Sequence, residues 1–262
     1  MKELLEKIPV LGPFGRKLGR TLRTFSRRLR NKLPEPYVFQ RVDPKAAGGA
    51  AGNAGPDAVR VVNLLNYTKT SQSAYSGGVF PAGYHSIHLP ELDLAGQREP
   101  KERLRLAPVD FAGKTVLDIG CNQGGMLFGL PREIRHGIGI DFDRRLVNAA
   151  NKVRSHARIT NLDFFVFNLE QEPLELIRDF LPVEKVDVVL LLSVCMWIEN
   201  WRDVVRFAAS ISNAMLFEAN GKAEQQEEQV VLLREVYRDV RLLQEHSPDD
   251  PLQKKRKLYW CS

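Results

Sequence analysis

The residues best suited to chemistry lie between Lys114 and Gly125, KTVLDIGCNQGG, where an apolar run leads into Asp118 and then Gly120, Asn122 and Gly124. Glycine permits positive φ and lets a ligand approach the backbone closely, and asparagine is the next most tolerant residue of the left-handed region. A helix starting directly after such a turn presents unpaired N–H groups. Asp141 follows in GIGIDFD, 21 residues after Gly120. Ahead of the loop, GYHSIHLP holds Tyr84, His85 and His88. A histidine there suits a general base on a lid over the site, the alternative being a surface or hydrogen-bonded loop histidine. Beyond the loop, Leu192-Ser193-Val194-Cys195-Met196-Trp197 offers Ser193, Cys195 and Trp197, with Tyr84, as walls of a substrate pocket. For Cys195 and Trp197 the favoured alternative is a small core thiol and a core aromatic under the following helix.

These residues need a frame, and the pattern from Lys114 onward supplies one. Apolar β-rich runs at Thr115–Leu117, Gly137–Ile140, Phe164–Phe167, Val186–Leu192 and Ala214–Phe217 alternate with helix-period segments at Met126–Ile134, Arg144–Val153, Trp201–Ile211 and Glu224–Tyr237. Near-continuous apolar strands alternating with helices predict a parallel sheet covered on both faces. Val240–Gln244 and Lys257–Cys261 are joined by the turn-rich HSPDDPLQK with no helix between them, which requires an antiparallel pair at one edge. Ligands of such open sheets sit outside the carboxyl ends of the strands, at the point where strand order reverses.

Two ligand classes compete for the glycine loop. A dinucleotide fingerprint, GxGxxG, is met by Gly120-x-Asn122-x-x-Gly125 only with Asn in place of the glycine that admits pyrophosphate. The other reading is a DxGxGxG-like loop. VLDIGCNQGG followed by GIGIDFD resembles the opening of a class I, Rossmann-like S-adenosyl-L-methionine (SAM)-dependent methyltransferase, and the resemblance runs from about Gly113 to Ser262. It implies an α/β fold with a seven-stranded, doubly wound, mostly parallel sheet and an antiparallel C-terminal strand. It also implies SAM as cofactor, with Asp118 and Gly120 under its methionine part and the loop Cys121, Asn122 and Gly124 around it. Asp141 would then accept the ribose hydroxyls, Asn168 would face the adenine amino group where the family often has Asp, and Leu169 would pack on the ring. Gly96-Gln97-Arg98 and Arg103 resemble the segment before the loop in some cap- and small-RNA-modifying methyltransferases, where an arginine holds the cofactor carboxylate. A solvated helix charge is the alternative for Arg103.

The chain has 262 residues, 44% of them hydrophobic, enough for one domain plus extensions, and only three cysteines, which excludes a disulfide scaffold and favours a reducing, cytoplasmic setting. No run nears 18 apolar residues, and no secretory h-region stands at the N-terminus. The net charge is +6, yet residues 1–33 carry ten basic and two acidic groups, or +8, leaving −2 for residues 34–262. Phe14, Leu18, Leu22, Phe25, Leu29 and Leu33 form one helical stripe with Arg and Lys around it. Such a helix docks on an anionic membrane or a partner, packs on its own domain, or acts as a targeting sequence. The predicted organisation is a basic amphipathic extension over 1–42, a Gly/Ala-rich linker over 43–58, a lid or substrate segment over 59–112, and the SAM domain over 113–262.

The chain has no NPPY-like tetrapeptide after the fourth strand, no Pro-Cys dipeptide there, and no acidic cluster to hold Mg²⁺, so no metal centre is expected. The basic run Lys254 to Lys257 reads as the exposed start of an edge strand, with phosphate contact as the alternative. The leading expectation is methyl transfer to an O or N nucleophile on a membrane-proximal glycan or small metabolite, by a cytoplasmic enzyme held at a membrane through residues 1–33. An RNA methyltransferase is the runner-up, with nucleic acid disfavoured by the acidic body, and a non-catalytic SAM-fold scaffold is the third reading.

Overall fold

The computed structural model describes residues 56–68, 80–247 and 255–262. The amphipathic stripe of residues 14–33, residues 43–55 of the expected linker, Gly77-Gly78 and Lys254 lie outside them.

The first described element is a helix, α1 (Pro56–Thr68). It overlaps the last three residues of the expected linker. Proline fits the first helical turn, where its missing N–H costs nothing, and Asp57 in that turn complements the helix dipole. Ala58, Val61, Val62 and Leu65 fall on one face and are all buried. Four short strands follow: β1 (Gly83–His85), β2 (Ile87–Leu89), β3 (Leu92–Leu94) and β4 (Gly96–Arg98). β1 pairs with β4 in parallel and β2 with β3 as a hairpin. α2 (Pro100–Leu104) is capped by the Glu99 carboxylate and begins on a proline.

The main sheet comprises β5 (Thr115–Ile119), β6 (His136–Asp141), β7 (Leu162–Val166), β8 (Val186–Leu192), β9 (Ser212–Glu218), β10 (Val240–Gln244) and β11 (Leu258–Cys261). Its order is β10-β11-β9-β8-β5-β6-β7, and β11 alone runs against the rest. The connecting helices are α3 (Gly125–Phe128), α4 (Arg144–His156), α5 (Trp201–Ser210) and α6 (Ala223–Val236). α3 is a single turn where a helix to Ile134 was expected, because Gly129 and Pro131 follow and a helix ends before the residue preceding proline.

The sheet divides two hydrophobic layers. Val188, Leu190, Leu258 and Trp260 belong to one, with residues of α1, α3 and α4, while Val189, Leu191, Tyr259 and Cys261 belong to the other, with residues of α5 and α6. Successive side chains of a strand point to opposite faces, so a central strand must be apolar throughout. This is why β11 is fully buried, and it corrects the reading of Lys257–Cys261 as an edge strand. β11 inserts between β9 and β10, and the exposed edge is β10.

α1 is tied to α4 by Asp57, whose carboxylate accepts from Lys152 Nζ at 2.5 Å and meets His156 Nδ1 at 3.0 Å. Its other end reaches the glycine loop, where Gln123 Nε2 donates to Thr68 Oγ1 at 2.5 Å. Among the described residues no helix is long and apolar enough to cross a membrane.

Candidate active site

β5 lies inside the sheet between β8 and β6, and the switch in strand order falls at its carboxyl end. The turn that leaves it has the backbone its sequence requires. Gly120 and Gly124 both sit at φ +78°, and Asn122 at +54°. A Cβ at Gly120 would lie 2.7 Å from Val194 Cγ2, and one at Gly124 would lie 2.6 Å from the Phe164 ring. Asn122 closes the turn by accepting from the Gln123 N–H at 2.9 Å. Cys121 contributes only backbone, because its thiol is buried and burial pushes it far up from its ordinary value.

Two buried carboxylates flank this turn. Asp141 accepts from the Asn122 and Asp143 N–H groups, each at 2.9 Å, so the second strand end and the loop are fastened together. Burial raises its pKa to about 6, with these N–H donors pulling the other way. Asp118 is raised to about 8, by burial first and then by Asp141. Its Oδ2 has no hydrogen-bond partner among the described residues. A buried acceptor of this kind is costly unless a donor, above all a cationic one, arrives to meet it.

The rim beyond Asp141 holds a residue the sequence reading passed over. Phe142 is exposed beside it, a flat apolar surface at the strand ends, and the visible signal was an aromatic directly after the aspartate in GIGIDFD. Leu169 packs into the second hydrophobic layer, and Asn168 accepts from the Glu170 N–H at 3.0 Å through the carbonyl oxygen expected to face an amine.

On the other side of Gly120, the carboxyl ends of β8 and β9 carry a charged network. Glu218 is 1% exposed and faces Arg98, whose Nη1 and Nη2 lie 3.4 and 3.2 Å from its two oxygens, and Arg103, whose Nε lies 3.5 Å away. Arg98 was expected at a cofactor carboxylate. Instead its guanidinium, 1% exposed, meets Glu218, because a charge buried this deeply requires a counter-ion. Arg103, 2% exposed, is not a solvated helix charge. Burial acts to raise Glu218, but Arg103, Arg98 and the Ser193 hydroxyl outweigh it and hold its carboxyl at about 2.

Ser193, at φ +60°, donates to Glu218. Asn220 clamps the turn after β8, donating to the Ser193 carbonyl at 2.5 Å and accepting from the Met196 N–H at 3.0 Å. Tyr84 bridges the two sides. Its N–H reaches Gln123 Oε1 at 3.4 Å, and its hydroxyl accepts from Arg98 at 3.0 Å. Glu218 and Asn220 were not singled out from sequence, though polar residues closing an apolar strand were a visible cue in FEAN.

Of the remaining pocket candidates, Trp197 is exposed beside this network, whereas Cys195 is packed in the core with its thiol pushed up to about 12 by burial, and it walls no pocket. The two histidines part company. His88 is held between Asp93 at 2.5 Å and Glu99 at 2.7 Å, contacts that outweigh desolvation and raise its pKa. It is a surface clasp, which removes it as a base. His85 is 6% exposed and packs on the first turn of α3, where a Cβ at Gly125 would come within 2.2 Å of its own. Neither ring nitrogen has a hydrogen-bond partner among the described residues, and burial, followed by Arg103 and Arg98, keeps the ring neutral.

The model of a family described as a methyltransferase domain matches residues 94–246. The chain belongs to that family. This methyltransferase uses SAM as its cofactor. It is 36% identical over 145 residues to the U6 snRNA methylphosphate capping enzyme Amus of Drosophila melanogaster, a match covering 51% of this chain and 44% of that protein. Among solved structures it resembles the N-terminal domain of EvdMO1 with SAH bound, with TM-score 0.52, 12% identity, and 67% of this chain and 89% of that chain covered. It also resembles the bifunctional kinase-methyltransferase WbdD, with TM-score 0.52, 22% identity, and 68% and 43% of the two chains covered. At these identities the structural likeness concerns the fold.

Proposed function

We propose that this methyltransferase holds SAM across the carboxyl ends of β5 and β6 and passes its methyl group to an O or N nucleophile lying over the ends of β8 and β9. The observation that carries the reading is the buried Asp118 Oδ2 beside the glycine turn, an acceptor that the ammonium of the methionine part satisfies. Asp141 receives the ribose hydroxyls, and the backbone from Gly120 to Gly124 follows the methionine part. Phe142 gives the adenine a flat apolar partner, in place of the expected Leu169. The cofactor supplies a strong methyl electrophile. The protein's share is alignment, exclusion of water and, for a protonated nucleophile, removal of the proton, for which neutral His85 is the candidate.

The acceptor in this reading is a glycan or small metabolite presented near a membrane, supported by the −2 charge of residues 34–262 beside the +8 of residues 1–33. Incubation with methyl-labelled SAM and fractionated extract tests it. Label is expected in glycan or lipid-linked material, and full-length protein is expected to sediment with anionic vesicles while a form lacking residues 1–33 does not. Label confined to nuclease-sensitive material would replace this acceptor with RNA. That second reading is favoured by one observation, the 36% identity to a capping enzyme of U6 snRNA.

A further inference from the structure

The basic run before β11 does not end at the surface. Arg256 turns inward, its side chain 15% exposed, with Nη1 3.2 Å from Ser193 Oγ and 3.4 Å from Glu218 Oε1. Glu218 is already paired with Arg98 and Arg103. A third guanidinium thus shares this carboxylate and is repelled by the two cations beside it. It also differs from them in access. Arg98 and Arg103 are sealed, whereas Arg256 keeps contact with solvent, and its side-chain hydrogen bonds to the described residues all pass through Nη1. The rest of its planar fork makes no hydrogen bond to a described residue. Ser193 fixes this at the acceptor side of the cofactor loop, since the next residue, Val194, packs directly on Gly120. His85 lies within the field of Arg98, Arg103 and Glu218 and brings two ring nitrogens without partners among the described residues.

We infer that Arg256 is a specificity residue that receives a phosphoryl group of the methyl acceptor, its free guanidinium edge meeting two phosphoryl oxygens. The inference rests on the proposed placement of the acceptor and narrows that acceptor to a phosphorylated molecule. A planar fork matches two oxygens of a tetrahedral anion.

The test measures binding to the full chain saturated with SAH, using glucose 1-phosphate and a 5′-phosphorylated oligoribonucleotide, each beside its dephosphorylated form. Wild-type protein is expected to favour one phosphorylated probe over its partner by about tenfold or more, the size of a charge-assisted hydrogen bond. Arg256→Gln is expected to erase that preference with SAM affinity unchanged, and Arg256→Lys to keep part of it. The probe that shows the preference identifies the source of the phosphoryl group. Equal binding of both forms of both probes by wild type, or a tenfold preference surviving in Arg256→Gln, overturns the inference. Ser193→Ala, expected to weaken the preference, supplies the reading if Arg256→Gln does not fold. SAM affinity and label transfer are scored separately, so failure of the proposed function is visible as such.

Discussion

Asp118→Asn protein is expected to resist heat better than wild type at pH 8 while failing to bind SAM. The buried Asp118 carboxyl titrates at about 8 in the folded chain against an ordinary value of 3.8. The folded state therefore holds a proton that the unfolded state releases, and stability falls as pH rises from about 4 to about 8. The slope approaches roughly 1.4 kcal/mol per pH unit for one such group. Asparagine has nothing to ionise and escapes this penalty, but it cannot pair with an ammonium. Calorimetric melting at pH 5 and pH 8, with a SAM titration at each, checks both halves. Equal slopes for the two proteins, or retained affinity in the variant, would remove Asp118 from the cofactor site. In wild type the same ionisation makes SAM affinity climb with pH across this window.

Replacing Glu218 by Gln acts with the opposite sign. Removing the carboxylate that meets two sealed guanidiniums is expected to cost about 3–5 kcal/mol of folding stability, the range for breaking a buried ion pair by deleting one partner. Glu218 titrates at about 2 in the folded chain against an ordinary 4.5, so its contribution is complete above 4.5 and disappears as pH falls toward 2. Urea denaturation between pH 2 and pH 6 should show wild type losing stability over that interval and the variant lacking the slope. A variant within about 1 kcal/mol of wild type at pH 6 would mean the network is dispensable. Taken together, Asp118 penalises the alkaline side and Glu218 the acid side. The cofactor-free protein is expected to be most stable near about pH 4 to 5, well below the range in which it binds its cofactor best.

The frame and the backbone of the glycine turn were legible because both are local. Apolar runs alternating with helical periods announce a parallel sheet, and a glycine turn between an aspartate and a helix announces its own backbone. The acceptor side was harder to read. Arg98, Ser193, Glu218 and Arg256 come from four separate stretches, and nothing in any one of them shows that the others converge on it. The misreading of Lys254 to Lys257 has the same origin: alternation can tell that a strand is apolar on both faces, but not between which neighbours it slots. His88 and Cys195 each had two readings, and the choice between them lay outside the sequence for a simpler reason. A histidine or a thiol is defined by what surrounds it, and Asp93 with Glu99 in one case, and a hydrophobic layer in the other, are tertiary facts.

The insertion of β11 also orders the local openings of the molecule. β10 has only β11 for a neighbour, whereas β11 bonds to β9 as well. Any fluctuation that frees β11 strands β10, while β10 can fray with β11 still in place. Amide protons of Val240–Gln244 should therefore exchange with solvent at least as fast as those of Leu258–Cys261. Arg256 stands two residues before β11, so an opening that frees β11 also withdraws this guanidinium from Ser193, whereas fraying of β10 alone leaves it in place. The Arg256–Ser193 contact and amide protection of Leu258–Cys261 are then two readouts of one cooperative unit.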